Sequence, residues 1–279
     1  MGRLEGTRAV ITGAASGIGE ATARLFTDEG AWVVLADVDD VRGPRIAGEC
    51  GERARFLRTD VSKEADVDAA VVLAVDHFGG LDCMFNNAGS PGSVGGIEEI
   101  DLATFDRTVA VHLRGVFLGI RAAARVMRTQ GRGSIINTAS VAALGANYAG
   151  HDYSACKAAV AQLTRTTANE LGESGIRVNA ILPGAVATSI FARAAGLDGD
   201  EAQATVEAMS QVLSDLAPIR RAGRPMDVAE AALWLAGEGS SFVTGQALAV
   251  DGGLTTGSLY REEHPKVEAL VHILATPAS

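Results

Sequence analysis

The sequence predicts an α/β fold, a doubly wound parallel sheet of about seven strands with helices on both faces. Three observations predict it. Short β-rich runs recur along the 279 residues, longer helical patterns separate them, and no proline- or serine-rich linker divides the chain. Alternating strands and helices are typical of a parallel sheet that helices cover on both sides. We therefore expect one domain over residues 1–279.

Seven short apolar runs are the predicted strands. They are RAVIT at 8–12, AWVVLAD at 31–37, ARFLRTD at 54–60, LDCMFN at 81–86, GSIINT at 133–138, IRVNAIL at 176–182 and QALAV at 246–250. The segment from about 188 to 222 contains no strand pattern and is predicted to be a helical insertion next to the substrate. Residues 254–279 are predicted to be a surface tail.

Composition and charge argue against several classes of function. The formal net charge of −10 disfavours a nucleic-acid partner, because a phosphate backbone attracts a basic surface. No apolar run reaches the ~18 residues of a membrane span, and residues 1–13 contain no apolar signal core. Cys50, Cys83 and Cys156 have neither paired nor metal-like spacing, and the histidines are scattered. We expect free thiols, a cytoplasmic location and no metal.

A glycine-rich turn follows the first predicted strand and opens a helix. It reads TGAASGIGEATARLF at 12–26, with Gly13, Gly17 and Gly19. Gly13 permits the tight turn, and the other two let backbone and helix approach closely. The helix N-terminus then presents free N–H groups to a pyrophosphate. Glycine spacing alone is weak evidence, but the strand before this turn and the helix after it favour dinucleotide binding.

Asp37 ends the second predicted strand, 18 residues after Gly19. A carboxylate there accepts hydrogen bonds from both ribose hydroxyls of NAD and repels the 2′-phosphate of NADP. The glycine-rich turn and the residue after Asp37 offer no cationic side chain, so we expect NAD. The alternative is a solvated carboxylate at a strand end. Asp60 and Val61, at the end of the third strand, are placed to hold the adenine.

Three side chains suggest acid–base chemistry. Ser140 closes the fifth predicted strand, Tyr153 follows 13 residues later, and Lys157 comes four residues after that. Residues i and i+4 share a helix face, so we expect Lys157 to lower the pKa of Tyr153. A phenol with a lowered pKa can donate and accept a proton near neutrality. A tyrosine and a lysine at this spacing are common on surface helices, but here they accompany a dinucleotide-binding pattern.

Taken together, these motifs resemble the classical short-chain dehydrogenase/reductase family over residues 4 to about 254. The resemblance implies a Rossmann fold and hydride transfer between the nicotinamide and a carbonyl or alcohol carbon. It implies that Tyr153 is the acid/base, that Ser140 orients the substrate oxygen, and that Lys157 binds the nicotinamide ribose. The matching motifs are TGAASGIG, Asp37, Asp60-Val61, NNAG at 86–89, Ser140, Tyr153-x-x-x-Lys157, PGAVAT at 183–188 and DGG at 251–253.

The resemblance also implies which residues surround the cofactor. The NNAG residues line a ribose, and PGAVAT folds over the nicotinamide carboxamide. The predicted NAD-binding residues are Gly13, Ser16, Gly17, Ile18, Gly19, Asp37, Val38, Asp60, Val61, Asn87, Ala88, Gly89, Tyr153, Lys157, Pro183, Gly184, Val186 and Thr188.

His112 departs from the family pattern. In VAVHLRGVFLG at 109–119 it shares an apolar helix face with Val109 and Val116, so it points inward. Most relatives have Asn there, which reaches the catalytic lysine through a water and completes a proton relay. Three interpretations stay open. His112 is a catalytic relay member that can titrate in the working pH range, or a core histidine bonded to a backbone carbonyl, or the mark of an inactive enzyme.

Three loops are expected around the nicotinamide, at 90–100, at 141–153 and from about 189. They are mostly apolar and contain no Arg or Lys cluster, which disfavours a phosphorylated substrate. We predict NAD-dependent oxidation of a hydrophobic secondary alcohol, either cyclic, aromatic or steroid- or terpenoid-like. For His151 the alternative is a solvated loop residue. The candidate substrate residues are Ser140, Val141, Ala142, Leu144, Tyr148, His151, Ile190 and Phe191.

Two other functions stay open. One is a 3-oxoacyl ketoreductase, a class that usually prefers NADPH and against which Asp37 argues. The other is a non-catalytic NAD-binding protein, against which the complete Ser–Tyr–Lys set argues. The resemblance further implies a homotetramer or homodimer, with Phe117, Ile120 and Leu163 as contacts. Alternatively, these three residues only cover the sheet.

Overall fold

The structure is a computed structural model that describes residues 2–197 and 199–275. One parallel sheet has the strand order β3-β2-β1-β4-β5-β6-β7. The predicted doubly wound sheet is confirmed, and every strand end lies within two residues of its predicted position. The strands are β1 Arg8–Thr12, β2 Trp32–Asp37, β3 Ala54–Arg58, β4 Cys83–Asn86, β5 Gly133–Thr138, β6 Ile176–Pro183 and β7 Ala247–Val250.

Helices cover both faces of the sheet. Residues of α3, α5 and α6 pack on one face in one apolar cluster, while α1, α2 and α9 contribute to a second cluster on the other. Successive residues of a strand alternate between the clusters, as Met84 and Phe85 do on β4. The helices are α1 Gly17–Asp28, α2 Arg42–Cys50, α3 Glu64–Phe78, α4 Leu102–Val109, α5 Gly115–Gln130, α6 His151–Gly172, α7 Ser189–Ala194, α8 Gly199–Leu213, α9 Pro225–Ala236 and α10 Tyr260–Ala275.

The strand order reverses between β1 and β4, the first and fourth strands in the chain. The chain leaves these neighbours toward opposite faces of the sheet, which opens a crevice at their carboxyl ends. Ligands of doubly wound sheets bind at such a switch point. The loops that carry the candidate site residues follow β1 to β6, so they all lie at this edge.

The segment between α4 and α5 is a π-helical turn, Ala110–Arg114. The sequence pattern predicts a plain amphipathic helix here, and the extra residue in the turn is a difference from that prediction. Turns of this kind are rare and occur often at functional sites. His112 lies in the middle of the turn.

The last part of the described chain is helix α10, where the sequence predicts only a surface tail. Its apolar residues Val267, Leu270, Val271 and Leu274 recur at helical spacing, which accounts for the helix. All four are exposed. None of the helices in residues 2–197 and 199–275 combines the length and the apolar character that crossing a membrane requires.

Candidate active site

The glycine-rich turn leaves no room for side chains at two of its glycines. Gly13 has a φ of +67°, and a Cβ there would lie 2.8 Å from the Cα of Ala88. A Cβ on Gly19 would overlap the carbonyl oxygen of Gly13. Helix α1 begins at Gly17, and the side chain of its N-cap residue, Ser16, makes no capping bond. The free N–H groups of this helix end suit a pyrophosphate.

Asp37 lies beside this turn, at the end of β2. Its Oδ2 accepts a 2.8 Å hydrogen bond from the backbone N–H of Ala15, and its Oδ1 accepts one of 3.0 Å from that of Asp39. These bonds fix the carboxylate beside the turn, and its contact with an adenosine ribose stays a prediction. The strand register also places Arg58 of β3 next to Asp37, a cation that the sequence pattern does not single out. Val38 is exposed at the same end.

The Asp60 carboxylate stabilises a local turn in this structure. Its Oδ1 accepts hydrogen bonds from the backbone N–H and the hydroxyl of Ser62, at 3.0 and 2.7 Å, and the hydroxyl bond is the main reason that its pKa is lowered. Val61 is buried, and its side chain lies against Gly115 at the start of α5. Contact of Asp60 and Val61 with an adenine stays a prediction.

The loop after β4 is tied to the end of β1 by Thr12, which sequence reasoning missed. Thr12 Oγ1 accepts hydrogen bonds from the backbone N–H groups of Asn87 and Ala88, at 2.9 and 3.0 Å. The Asn87 amide donates back to the carbonyl oxygen of Thr12 at 3.0 Å. A threonine directly before Gly13 is the sequence signal that could have found this link. The two loops that border the crevice are therefore held together.

Ser140, Tyr153 and Lys157 come together at the carboxyl end of β5, as their spacing predicts. The Ser140 side chain lies close enough to the Tyr153 hydroxyl to lower its pKa. Lys157 is buried on the same face of α6, with Nζ 5.4 Å from the centroid of the Tyr153 ring. Its Nζ also donates a 2.6 Å hydrogen bond to the carbonyl oxygen of Thr138. This arrangement can move a proton to or from an oxygen held by Ser140.

The pKa of Tyr153 differs from the sequence expectation. Burial raises it, the nearby Ser140 side chain lowers it, and the net direction is upward. The Lys157 ammonium lies over the face of the ring, and burial lowers its own pKa to about 8. The i+4 spacing brings the two residues together as predicted, but desolvation is the largest cause acting on the phenol and makes the net shift of its pKa upward.

His112 makes the backbone contact of the second interpretation. Its Nε2 lies 2.8 Å from the carbonyl oxygen of Ser90 and 3.1 Å from the Ser90 nitrogen, so it donates to one or accepts from the other according to its tautomer. Its ring meets the Tyr153 ring edge-on, with the centroids 5.0 Å apart. Nδ1 is buried without a hydrogen-bond partner among the described protein residues.

Burial and then the charge of Lys157 lower the pKa of His112 to about 3. The ring is therefore neutral at working pH, and the expectation that it titrates there is wrong. The sequence reasoning assumed an ordinary imidazole, whereas this one is 1% exposed. A relay role for a neutral His112 stays a prediction.

Asp152, next to Tyr153, is a buried residue that sequence reasoning missed. Its carboxylate accepts hydrogen bonds from the Ser93 backbone N–H at 3.0 Å, the Ser93 hydroxyl at 2.7 Å and the Tyr153 N–H at 2.8 Å. Burial raises the pKa of Asp152, but these bonds and the nearby Thr108 side chain outweigh it, so the pKa is lowered. A buried carboxylate that accepts so many bonds ties separate segments together.

The loop after β6 returns to the phosphate end of the site. Pro183 is the last residue of β6, and a Cβ on Gly184 would lie 2.8 Å from the Cα of Asp251 in the DGG motif. Val186 is buried and forms an isolated bridge with Gly223. The methyl group of Thr188 lies 3.4 Å from the Cβ position of Gly17. Thr188 therefore lies beside the glycine-rich turn, and its contact with a nicotinamide carboxamide stays a prediction.

The predicted substrate residues differ in exposure. Val141 and Ala142 are buried in the turn after Ser140, each with 4% of its surface exposed. Leu144, Tyr148 and His151 are exposed, and Ile190 in α7 is half-buried. Phe191 also lies in α7, but its side chain is outside the described part of the structure.

The comparisons with known proteins agree with this geometry. A family model described as enoyl-(acyl carrier protein) reductase matches residues 13–255. Momilactone A synthase from Oryza sativa subsp. japonica is 44% identical over 91% of both chains. A 3-alpha-(or 20-beta)-hydroxysteroid dehydrogenase from Mycobacterium bovis is 40% identical over 94% of both. A solved 3-ketoacyl-(acyl-carrier-protein) reductase from Brucella melitensis, complexed with NADH, has a TM-score of 0.82 at 38% identity, covering 90% of this chain and 99% of its own. This chain therefore belongs to the classical short-chain dehydrogenase/reductase family.

Proposed function

We propose that the protein oxidises a hydrophobic secondary alcohol with NAD, with Tyr153 as the acid/base. One observation carries the proposal: Ser140 and Tyr153 lie close together beside a buried Lys157, at the edge of the sheet that also bears the glycine-rich turn. When bound, NAD supplies the hydride acceptor, and the protein supplies placement and proton transfer.

Each side chain has one task in this mechanism. Ser140 donates a hydrogen bond to the substrate oxygen and orients it toward Tyr153. Tyr153 takes the proton from the alcohol, or gives a proton to the ketone in the reverse direction. Lys157 donates one N–H to the carbonyl oxygen of Thr138, and its two other N–H groups are available to donate to ribose hydroxyls. Because the pKa of Tyr153 is raised, ketone reduction starts from the protonated phenol present at neutral pH.

We propose NAD rather than NADP because of Asp37. Its fixed carboxylate matches the two ribose hydroxyls of NAD, and a 2′-phosphate would bring two negative groups together. The solved relative that is complexed with NADH supports the same choice. Arg58 beside Asp37 is the feature that favours NADP, and a comparison of the two cofactors tests both.

The proposed substrate is a cyclic, aromatic or steroid- or terpenoid-like alcohol. The loops at 90–100 and 141–153 contain no Lys or Arg, so they offer no cation to a phosphate or carboxylate. Leu144 and Tyr148 provide exposed apolar surface. The relative named as a hydroxysteroid dehydrogenase supports an apolar ring system.

A second candidate function is reduction of a 3-oxoacyl thioester. The solved relative named as a 3-ketoacyl reductase favours it, and because that structure holds NADH, cofactor preference alone does not separate the two functions. A panel of secondary alcohols and 3-oxoacyl thioesters separates them directly. A protein that binds NAD without turnover on the whole panel would instead be a non-catalytic NAD-binding protein.

The test is NADH formation from NAD over aliphatic, cyclic, benzylic, steroidal and sugar-derived secondary alcohols. We expect Tyr153→Phe to lower kcat about a hundredfold or more, since it removes only the reacting hydroxyl. Tyr260→Phe, at an exposed tyrosine of α10, is the matched control. Equal rates in the wild-type protein and Tyr153→Phe would contradict the mechanism.

We also propose a homotetramer or homodimer in the cytoplasm. Phe117 on α5 has 49% of its surface exposed and is available as a contact, and Leu163 on α6 is half-buried. Ile120 is only 5% exposed, so its expected role as a contact is wrong, because its own chain already covers it. Cys50, Cys83 and Cys156 are free thiols, which suits a reducing compartment. Light scattering that gives one 28.7 kDa chain would contradict the oligomer.

A further inference from the structure

Two buried polar side chains hold the same short loop. The loop is Ser90–Ser93, after β4. His112 contacts its first residue through Nε2, at 2.8 Å from the Ser90 carbonyl oxygen and 3.1 Å from the Ser90 nitrogen. Asp152 contacts its last residue through the backbone N–H and the hydroxyl of Ser93. We call these two contacts the clasp.

The clasp holds the loop in close contact with the N-terminal end of α6, the helix that carries Tyr153. A Cβ on Gly92 would lie 2.7 Å from the Cβ of Tyr153, and a Cβ on Gly150 would overlap the carbonyl oxygen of Ser93. At the other end, a Cβ on Gly89 would lie 3.0 Å from Cε1 of His112. Small displacements of the loop therefore change the space beside Tyr153.

Little else in the backbone fixes this loop. Residues 87–96 form no helix or strand, and within the described part of the chain no backbone-to-backbone hydrogen bond involves residues 90–95. A buried polar group without a partner is costly, so His112 and Asp152 favour the one loop position that satisfies them. His112 in addition touches the edge of the Tyr153 ring.

We propose that His112 and Asp152 are positioning residues, which fix Ser90–Ser93 as a wall of the substrate site against Tyr153. In this assignment His112 acts through Nε2 and the loop, not as a member of a proton relay. The assignment rests on the proposed function, because it concerns the substrate wall of that site. It also accounts for a histidine at this position, since the shorter side chain of Asn ends at the δ atoms.

Two substitutions separate positioning from relay. Gln carries its amide nitrogen and oxygen at ε positions, like the Nε2 of His112, whereas Asn carries them at δ positions, like its Nδ1. His112→Gln should therefore keep the Ser90 contact, and His112→Asn should lose it. His77→Gln and His77→Asn, at an exposed histidine of α3, are the matched controls.

Two readouts are needed. The first is how far each substitution changes KM for the alcohol and kcat separately, measured with saturating NAD. The second is hydrogen exchange of residues 89–97, which needs no turnover. We expect His112→Asn to raise the alcohol KM about tenfold and speed exchange in 89–97, and His112→Gln to change KM less than about twofold. KM for NAD should stay within about twofold in both.

A second pair tests the other half of the clasp. Asp152→Asn loses the charge and replaces one acceptor oxygen with a donor, so it should raise the alcohol KM and speed exchange in 89–97 as His112→Asn does. Asp106→Asn, at an exposed carboxylate of α4, should change neither. Unchanged KM and exchange in Asp152→Asn would overturn the clasp at this end.

Other outcomes also overturn the proposal. If His112→Asn keeps KM and exchange while His112→Gln loses kcat, the residue acts through its Nδ1 position, as a relay requires. If both variants match the wild type, or both are equally impaired, the Ser90 contact does not define its role. Should the wild type oxidise no alcohol, the proposed function fails, and exchange in the same variants still decides whether the clasp exists.

Discussion

Lys157 donates a 2.6 Å hydrogen bond from Nζ to the carbonyl oxygen of Thr138, the last residue of β5. This bond fixes the end of a long, flexible side chain beside the Tyr153 ring. It holds a charged group in an interior where the side chain has no carboxylate partner among its described hydrogen bonds and ion pairs. Burial lowers the pKa of Lys157 to about 8, so its positive charge is unfavourable in the folded protein at neutral pH.

Lys157→Met should therefore abolish activity and stabilise the cofactor-free protein at pH 7. The folded-state pKa of about 8 lies below the ordinary value of 10.5, so the unfolded state binds more protons between these values. Wild-type stability consequently gains ~3 kcal/mol from this group as pH rises through that window. Urea unfolding at pH 7 and pH 10.5 measures the difference. A stability gap between variant and wild type that is independent of pH would contradict the buried charge.

His112 should make the protein sensitive to acid. Burial and Lys157 lower its pKa to about 3, whereas an unfolded imidazole has the ordinary value of 6.5. The unfolded state thus takes up a proton first, and stability falls as pH drops from 6.5 toward 3. His112→Gln should lose less stability than the wild type between pH 7 and pH 4.5. Because His112 does not titrate above pH 5, the pH profile of alcohol oxidation from pH 6 to 9 should keep its shape in this variant.

Sequence reasoning predicted the sheet and the proximity of Tyr153 and Lys157 because both depend on local patterns. Apolar runs mark buried strands, and the four-residue spacing of Tyr153 and Lys157 fixes a shared helix face. It missed the contact between Asp152 and Ser93, which are 59 residues apart and meet only in the folded chain. It also predicted the wrong direction for the pKa of Tyr153, because the degree of burial depends on how separate segments pack.

Gly19 should tolerate no side chain. A Cβ at this position would overlap the carbonyl oxygen of Gly13, which is backbone and cannot rotate away. Gly19→Ala should therefore destabilise the protein by ~1–3 kcal/mol and weaken NAD binding. Gly48→Ala is the matched control, because Gly48 is also helical, has open space around its Cβ position, and should gain ~0.5–1 kcal/mol. Thermal unfolding with and without NAD measures the stability and the NAD binding of both variants. Equal melting temperatures of Gly19→Ala and the wild type would show that the turn can widen to admit a methyl group.

Asp37 should set the choice between NAD and NADP. Its carboxylate is held by the backbone N–H groups of Ala15 and Asp39, so it meets a ribose without first losing conformational freedom. Asp37→Ala removes two hydrogen-bond acceptors for NAD and the repulsion of a 2′-phosphate, and it leaves Arg58 beside the site. We expect KM for NAD to rise about tenfold and KM for NADP to fall by a similar factor.

Steady-state kinetics with each cofactor measure this switch, and Asp40→Ala, at an exposed carboxylate three residues on, is the control. Adding Arg58→Ala to Asp37→Ala asks whether the arginine holds the 2′-phosphate. If it does, the double variant loses the gain with NADP and keeps the high KM for NAD. A ratio of NAD to NADP efficiency that Asp37→Ala leaves unchanged would mean that groups other than this carboxylate select the cofactor.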